Sequence, residues 1–297
     1  MYEEGRPTLL EPVTLSELNP SSAQDALKQF SDYIWLFYRE HGRSFPWRDT
    51  VDPYRILLSE LMLQQTQTER VLPKYQLFLD TWPDFSSLAK ATLLEVLSAW
   101  KGLGYNRRAI ALRTIAQESE HYGWTLPSDY DKLLELPMIG PATGAAIMAF
   151  SFQKRSLYLE TNIRRVLIYQ FHLGEEKVRD RQLLHELDGL LDLQCDYKHW
   201  YYGLMDYGVW LKKQVTNPNR RSAHYARQAK FEDSNRQIRG MLLLVFTEQG
   251  PQDFKSLCQQ LPFAPERIQL CVEALKTEGF IEQVSESAPR YRISSGG

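Results

Sequence analysis

"LLELPMIGPATGAAIMAF", residues 133–150, is the stretch that decides the fold. A helical run ends at Leu136-Pro137, and a tight turn follows that holds Gly140. A second helix, rich in small residues, begins at Pro141, where a proline removes no helical hydrogen bond. Such a hairpin presents unsatisfied backbone N–H groups at a helix N-terminus, where an anionic phosphate can sit against the positive end of the dipole. Its small side chains let a polymer backbone come close. Read alone, the stretch serves equally well as a hairpin that only packs against its neighbour.

On both sides of it, from about Ser22 to Trp210, apolar residues recur at helical spacing in segments broken by proline, glycine or asparagine. "AQDALKQFSDYIWLFYREHG" is an amphipathic helix ending at Gly42, and "PYRILLSELMLQQTQ", "TERVLPKYQLFLDTW", "TLLEVLSAWKGLG" and "NRRAIALRTIAQESEHYG" follow. No comparable alternating β pattern occurs in this half, so the first two hundred residues are expected to be all-α. Further on, "GVWLKKQVTNPNRRSAHYARQAK" carries Lys212, Lys213, Arg220, Arg221, Arg227 and Lys230 without an acid, a basic linker. Beyond it, "RQIRGMLLLVFTEQG", "PQDFKSLCQQL" and "APERIQLCVEALKTEGF" predict three short helices, and "FIEQVSESAPRYRIS" predicts two strands around a polar turn. Three helices and a hairpin form the winged-helix arrangement.

Composition sets the outer bounds. A chain of 297 residues with 43% apolar and 12% aromatic content supports two or three packed cores. The net charge of −2 places any nucleic-acid surface in a local basic patch. Cys195, Cys258 and Cys271 are too few and too scattered for a disulfide framework and read as small apolar residues in a reducing cytoplasm. The acidic, proline-bearing N-terminus reads as an extended leader and fits neither a signal peptide nor a membrane anchor.

Two carboxylates stand out. Glu160, in "SLYLETNIRRV", sits where a helix begins, with Arg164 and Arg165 behind it; read alone it is a favourable charge at a helix N-terminus. Glu60 lies in "LLSELMLQQTQTERV", a core-like helix whose end carries Gln64, Gln65 and Gln67. Read alone, these are an exposed acid and a solvated helix terminus. On a DNA-binding protein, amide side chains can instead wedge into the base stack and bond base edges.

Taken together, "FPWRDTVDPYRILLSELMLQQTQTERVLPKY", "LSAWKGLGYNRRAIAL", "LPMIGPATGAAI", "LETNIRRVL" and "LMDYG" resemble, in order and spacing, the helix-hairpin-helix DNA glycosylases. The adenine-specific mismatch glycosylases of the MutY type are the nearest likeness, over about residues 25 to 210. The resemblance implies a helix-hairpin-helix core of two helical subdomains and a base excision repair enzyme that flips a base out of duplex DNA and cleaves its glycosidic bond. It implies that Glu160 is the carboxylate stabilising the sugar cation and Glu60 the acid that protonates the base. Arg48, Trp47, Asn106, Asp206 and Thr161 would line the base pocket. Gln64 and Gln65 would intercalate, and the backbone of Met138, Gly140, Ala142 and Thr143 would hold phosphate.

This chain departs from the pattern at several positions. Glu160 replaces an aspartate, Asn106 a tyrosine, and Met138 the first glycine of the hairpin. Ala142 stands where bifunctional relatives carry a lysine; without an amine no Schiff base forms, so a monofunctional glycosylase is expected. The four-cysteine iron–sulfur loop expected after "LMDYG" has no cysteines here, so no cofactor and no metal are expected. Arg220 and Arg221 of the basic stretch would contact phosphate instead, unless the stretch is only a solvated linker.

The resulting expectation is a leader at 1–24, a glycosylase core at 25–210, a basic linker at 211–234 and a winged helix at 235–297. The protein should be a bacterial or archaeal, nucleoid-associated cytoplasmic monomer acting on duplex DNA with a mispaired or damaged base, adenine foremost. A mismatched or deaminated pyrimidine is the second reading, and a DNA-binding protein without catalysis the third.

Overall fold

Side chains that cap helices set many of the helix starts in a computed structural model, which describes residues 2–3, 6–226, 230–284 and 289–295. After a short antiparallel pair, β1 (Tyr2–Glu3) and β2 (Arg6–Pro7), helix α1 (Pro20–His41) starts where the Asn19 side chain accepts the Ser22 N–H at 3.0 Å. Asp52 caps α2 (Pro53–Leu63) in the same way, through Arg55 N–H at 2.9 Å, with a proline at the first position of both helices. Next come α3 (Thr68–Thr81) and α4 (Phe85–Ala89). In α5 (Leu93–Trp100), Thr92 and Glu95 form a reciprocal capping box. The chain continues through α6 (Arg107–Glu118), α7 (Tyr130–Glu135), α8 (Pro141–Phe150), α9 (Thr161–Phe171), α10 (Asp180–Leu191) and α11 (Tyr197–Leu211).

The C-terminal elements are α12 (Asn235–Gln249), β3 (Gln252–Asp253), α13 (Phe254–Gln260), α14 (Pro265–Thr277), β4 (Ile281–Gln283) and β5 (Arg290–Ile293). The sheet runs β3-β5-β4, all antiparallel, which adds one strand to the expected hairpin. Two residues, Gln252 and Asp253, are too few to show alternation in the sequence. Part of the expected polar turn, 285–288, lies outside the described residues.

The chain forms two compact units, and neither is continuous in sequence. One comprises residues 1–51, 128–130 and 139–227. In it α1, α9 and α11 pack together, with α8 against α11 and α10 against α9. Phe30, Ile34 and Phe37 of α1, Val166 and Leu167 of α9, and Trp200, Leu204 and Tyr207 of α11 are buried at their meeting. Each contributes about 1.5–3 kcal/mol by leaving water. Gly203 brings α11 close to α1, since a Cβ there would stand 2.9 Å from Tyr38 Cβ.

The other unit comprises residues 52–127, 131–138 and 228–297. In it α2, α4 and α5 pack around α6, and α3 packs against α2 and α5, over Leu57, Leu58, Val71, Phe78, Trp100, Leu112 and Ile115. The winged helix belongs to the same unit, with Leu242, Phe246, Ile268, Val272, Leu275 and Ile293 buried. Among the described residues no helix is long and apolar enough to cross a membrane.

Candidate functional site

Glu160 is the N-cap of α9, and its side chain folds back onto its own helix. Oε1 accepts the N–H groups of Asn162 at 2.7 Å and Ile163 at 3.0 Å, while Oε2 receives only the Asn162 side-chain amide, at 3.3 Å. Glutamate is an uncommon cap because of its length; the backward fold absorbs the methylene that distinguishes it from aspartate. Asn162 is itself fixed: its Oδ1 accepts Arg165 Nη1 at 2.6 Å, and the same nitrogen donates to Gly208 O at 2.8 Å. A Cβ on Gly208 would lie 2.5 Å from Asn162 O, so the glycine of "LMDYG" is what lets α11 approach this point.

Burial pushes the Glu160 carboxyl above its ordinary value, and the two backbone donors and Arg165 only partly offset it. The helix N-terminus and the two following arginines, visible in the sequence, favour the anion, and the burial that opposes them is not visible there. Of the two arginines, Arg164 is turned away into a bidentate pair with Asp180, at 2.9 and 2.8 Å. Arg165 supports the carboxylate, by its charge and by holding Asn162 in place. Thr161, the first residue of α9, has an exposed side chain, and its carbonyl accepts Asn219 Nδ2 at 3.0 Å.

Arg48 and Asp206 are brought together, in a way the base-pocket assignment does not describe. Asp206 Oδ1 accepts Arg48 Nη2 at 2.8 Å and Arg43 Nε at 2.7 Å; Oδ2 accepts Arg48 Nη1 at 2.7 Å and the Arg43 N–H at 2.8 Å. The Arg48 guanidinium lies 4.4 Å from the Tyr202 ring centroid, and Trp47 stacks on Phe45 at 4.9 Å. With exposures of 4% for Trp47, 5% for Arg48 and 3% for Asp206, these side chains fasten the 43–48 loop to α11 and offer a base almost no surface. A buried pair of this kind is costly to open. Arg43, which supplies half of the bonds to Asp206, was missed in the sequence because an arginine after a helix end looks like any surface cation.

In the second unit Glu60 is half-buried on α2, beside the buried Ser59, Leu61 and Met62. The helix ends at Leu63, earlier than its pattern suggests, and Gln65 adopts a left-handed backbone with φ +54°. The cause is Arg108, which is fully buried. Its Nη1 donates to the carbonyls of Leu61 (2.7 Å), Met62 (2.9 Å) and Gln64 (2.7 Å). Its Nη2 donates to Thr66 Oγ1 (3.1 Å), Leu103 O (3.1 Å) and Gly104 O (2.8 Å). The guanidinium caps the orphan carbonyls of α2 and ties the Gln64–Thr66 turn to the loop that carries Asn106. Burial pulls the guanidinium down to about 10. A cation in the first turn of α6, against the dipole, was the one sequence signal for this residue. Asn106 is the half-exposed N-cap of α6 and makes no side-chain capping bond.

The residue in the place of the hairpin's first glycine has a left-handed backbone. Met138 takes φ +63°, the left-handed value a glycine would supply, at a cost of about 1–2 kcal/mol. Gly140 caps α8 with an ordinary φ of −87° and would have open space around a Cβ. The protein's own packing therefore does not require a glycine there; approach by something from outside would. Ala142 is exposed, while Thr143 is buried.

After α11 the basic segment is structured as far as it is described. Arg221 donates to His172 O, to Ile168 O at 3.1 Å and to Glu175 O at 3.4 Å, at the C-terminal end of α9. A parallel bridge joins Val178 to Ser222. Arg221 is thus an internal clasp and cannot also serve as the expected phosphate contact. Lys212, Lys213 and Arg220 stay exposed, with no carboxylate partner among the described residues; Arg227 lies outside them. With no thiol in this segment, its donor set does not fit an iron–sulfur cluster.

Residues 58–190 match the HhH-GPD superfamily base excision DNA repair protein profile. The adenine DNA glycosylase of Mycolicibacterium smegmatis is 29% identical over 279 residues, 88% of this chain and 94% of that one. Adenine DNA glycosylases of Buchnera and Mycobacterium align over only 42–53% of their own length. The thymine/uracil-DNA glycosylase of Methanothermobacter thermautotrophicus is 31% identical, covering 61% of this chain and 84% of that one. A solved thermostable thymine-DNA glycosylase superposes with a TM-score of 0.56 at 28% identity, over 63% of this chain and 88% of its own.

Proposed function

We propose that this chain, which belongs to the HhH-GPD superfamily of base excision DNA repair proteins and is a DNA glycosylase, removes mispaired adenine from duplex DNA as a monofunctional hydrolase. The observation that carries the reading is the carboxyl of Glu160, held at a helix start with Oε1 doubly bonded and Oε2 only weakly engaged. Breaking the glycosidic bond develops positive charge on the deoxyribose and negative charge on the departing base. Oε2 keeps the lone-pair capacity to stabilise that cation, and its half-buried position strengthens the interaction. Glu60 supplies the proton to the purine ring.

Gln64 and Gln65, on a turn fixed by Arg108, would enter the stack where the base leaves it. The α8 N-terminus at Gly140 to Thr143 would take a phosphate, and Lys212, Lys213 and Arg220 would add backbone contacts. Ala142 provides no amine, which supports hydrolysis without strand cleavage. The basic segment is proposed to work without a cluster, clasped by Arg221. On the same reading the enzyme is a cytoplasmic, bacterial monomer.

A second reading, excision of thymine or uracil, is favoured by the relative of that name, with 84% of its length aligned. Single-turnover cleavage of duplexes bearing A opposite G, A opposite oxidised guanine, and T or U opposite G separates the two. Adenine release is the expected result. Release of only T or U selects the second reading, and specific binding with no base released from any duplex would refute both.

A further inference from the structure

Three side chains of the winged helix reach a short stretch of its own unit, Lys101–Arg107. Glu248 at the end of α12 pairs with Lys101, and Glu278 accepts both Arg107 Nε and Nη2 at 2.8 Å. Arg236 donates to the Tyr105 hydroxyl at 2.8 Å, with its guanidinium 5.8 Å from the ring centroid. Between α5 and α6 the stretch forms no regular structure until Arg107. Gly102 and Gly104 sit at φ +96° and +70°, and Tyr105, a non-glycine residue, at φ +47° with its ring 37% exposed. A loop with two glycines and a strained tyrosine loses much entropy on ordering and depends on external ties.

Its inner side is held by Arg108 and by Trp100 Nε1, which donates to Gly104 O at 3.1 Å. Its outer side is held by the winged helix. Meanwhile that domain keeps little charge for DNA. Seven basic and seven acidic residues balance between 235 and 297. Arg239 bonds Glu278, Arg267 bonds Asp233, Arg290 bonds Pro251 O and Arg292 bonds Glu282. Helix α14, the one that enters the groove in DNA-reading members of this architecture, exposes Glu266, Leu270 and Glu273 along its length and a cation, Lys276, in its last turn.

We infer that the winged helix is a positioning element of its own unit and not a second DNA grip: through Glu248, Glu278 and Arg236 it fixes the Lys101–Arg107 stretch and, with it, Asn106. The inference rests on the proposed glycosylase function and on the family resemblance, which places Asn106 in the base pocket.

The test uses the full chain with Arg236→Gln, Glu278→Gln, Arg236→Lys and the double variant Lys255→Glu/Lys276→Glu, the last two positions being exposed on the domain. Amide exchange at Leu103, Arg108 and Ala109, whose N–H groups close the turns of this stretch, is measured without DNA. Single-turnover excision and the salt dependence of binding to undamaged duplex are measured alongside. Arg236→Gln and Glu278→Gln should speed exchange and slow excision on the order of 10-fold, the scale of a sub-ångström misplacement, with an unchanged salt slope. Arg236→Lys should restore excision, and the double reversal should alter nothing. A reduced salt slope in the double reversal, or wild-type exchange in Arg236→Gln and Glu278→Gln, overturns the inference. If the wild type cleaves no duplex, the substrate reading has failed, and exchange alone decides this one.

Discussion

Arg108 donates to the carbonyl of Gln64 at 2.7 Å, so a buried cation 44 residues along the chain sets the turn on which the glutamines stand. Lysine at this position keeps the charge but offers three donors without the planar fork. Arg108→Lys therefore leaves several buried acceptors unpaired and should cost about 2–4 kcal/mol. The checks are a lower denaturation midpoint and faster amide exchange across 64–66. A variant as stable and as protected as the wild type would show that the turn holds itself.

At Gly208 the α11 backbone lies against Asn162, the residue that holds both oxygens of Glu160. Gly208→Ala must push Asn162 away, with an overpacking cost of about 1–3 kcal/mol. Displacement of the carboxylate by about 1 Å should reduce excision on the order of 100-fold while leaving duplex affinity alone. Equal losses of rate and affinity would point to general unfolding instead.

The neighbours Arg220 and Arg221 should behave differently. Arg220→Ala is expected to reduce the salt slope of DNA binding by about one phosphate contact and to leave the melting temperature in place. Arg221→Ala should do the reverse, losing on the order of 2 kcal/mol of stability as three carbonyls at the end of α9 lose their donor. Salt titrations and thermal melts of the two proteins read this directly.

Because burial raises the Glu160 carboxyl above its unfolded value, the native state holds this proton more tightly than the unfolded chain does. The stability that this preference provides is complete below the ordinary glutamate range and is lost as pH rises through the raised folded value. At neutral pH, Glu160→Gln should thus be more stable than the wild type, by about 2–4 °C for each kcal/mol. The difference should vanish in acid. A glutamine variant that melts lower at neutral pH contradicts the assignment of burial as the dominant influence.

Much of this was legible in the sequence because it is local. The hairpin at Pro141 and the acid at the start of α9 both follow from residues within four positions of one another. What stayed hidden depends on distance along the chain. Arg108 meets acceptors 42 to 47 residues upstream, and Asp206 saturates itself on two arginines some 160 residues away. Charge pattern alone treats Arg164 with Arg165, and Arg220 with Arg221, as equivalent cations. Packing separates each pair into one engaged with the site's frame and one turned elsewhere. The split of the chain into two discontinuous units is likewise a property of which helices meet, and a linear list of segments does not contain it.

The most direct measurement is the single-turnover rate of adenine release from a duplex carrying A opposite G, for the wild type, Glu160→Gln and Glu160→Asp. The account predicts a fall of on the order of 100- to 1000-fold in the glutamine variant, with substantial activity kept by aspartate and with binding unchanged. Adenine release by Glu160→Gln at the wild-type rate would contradict it.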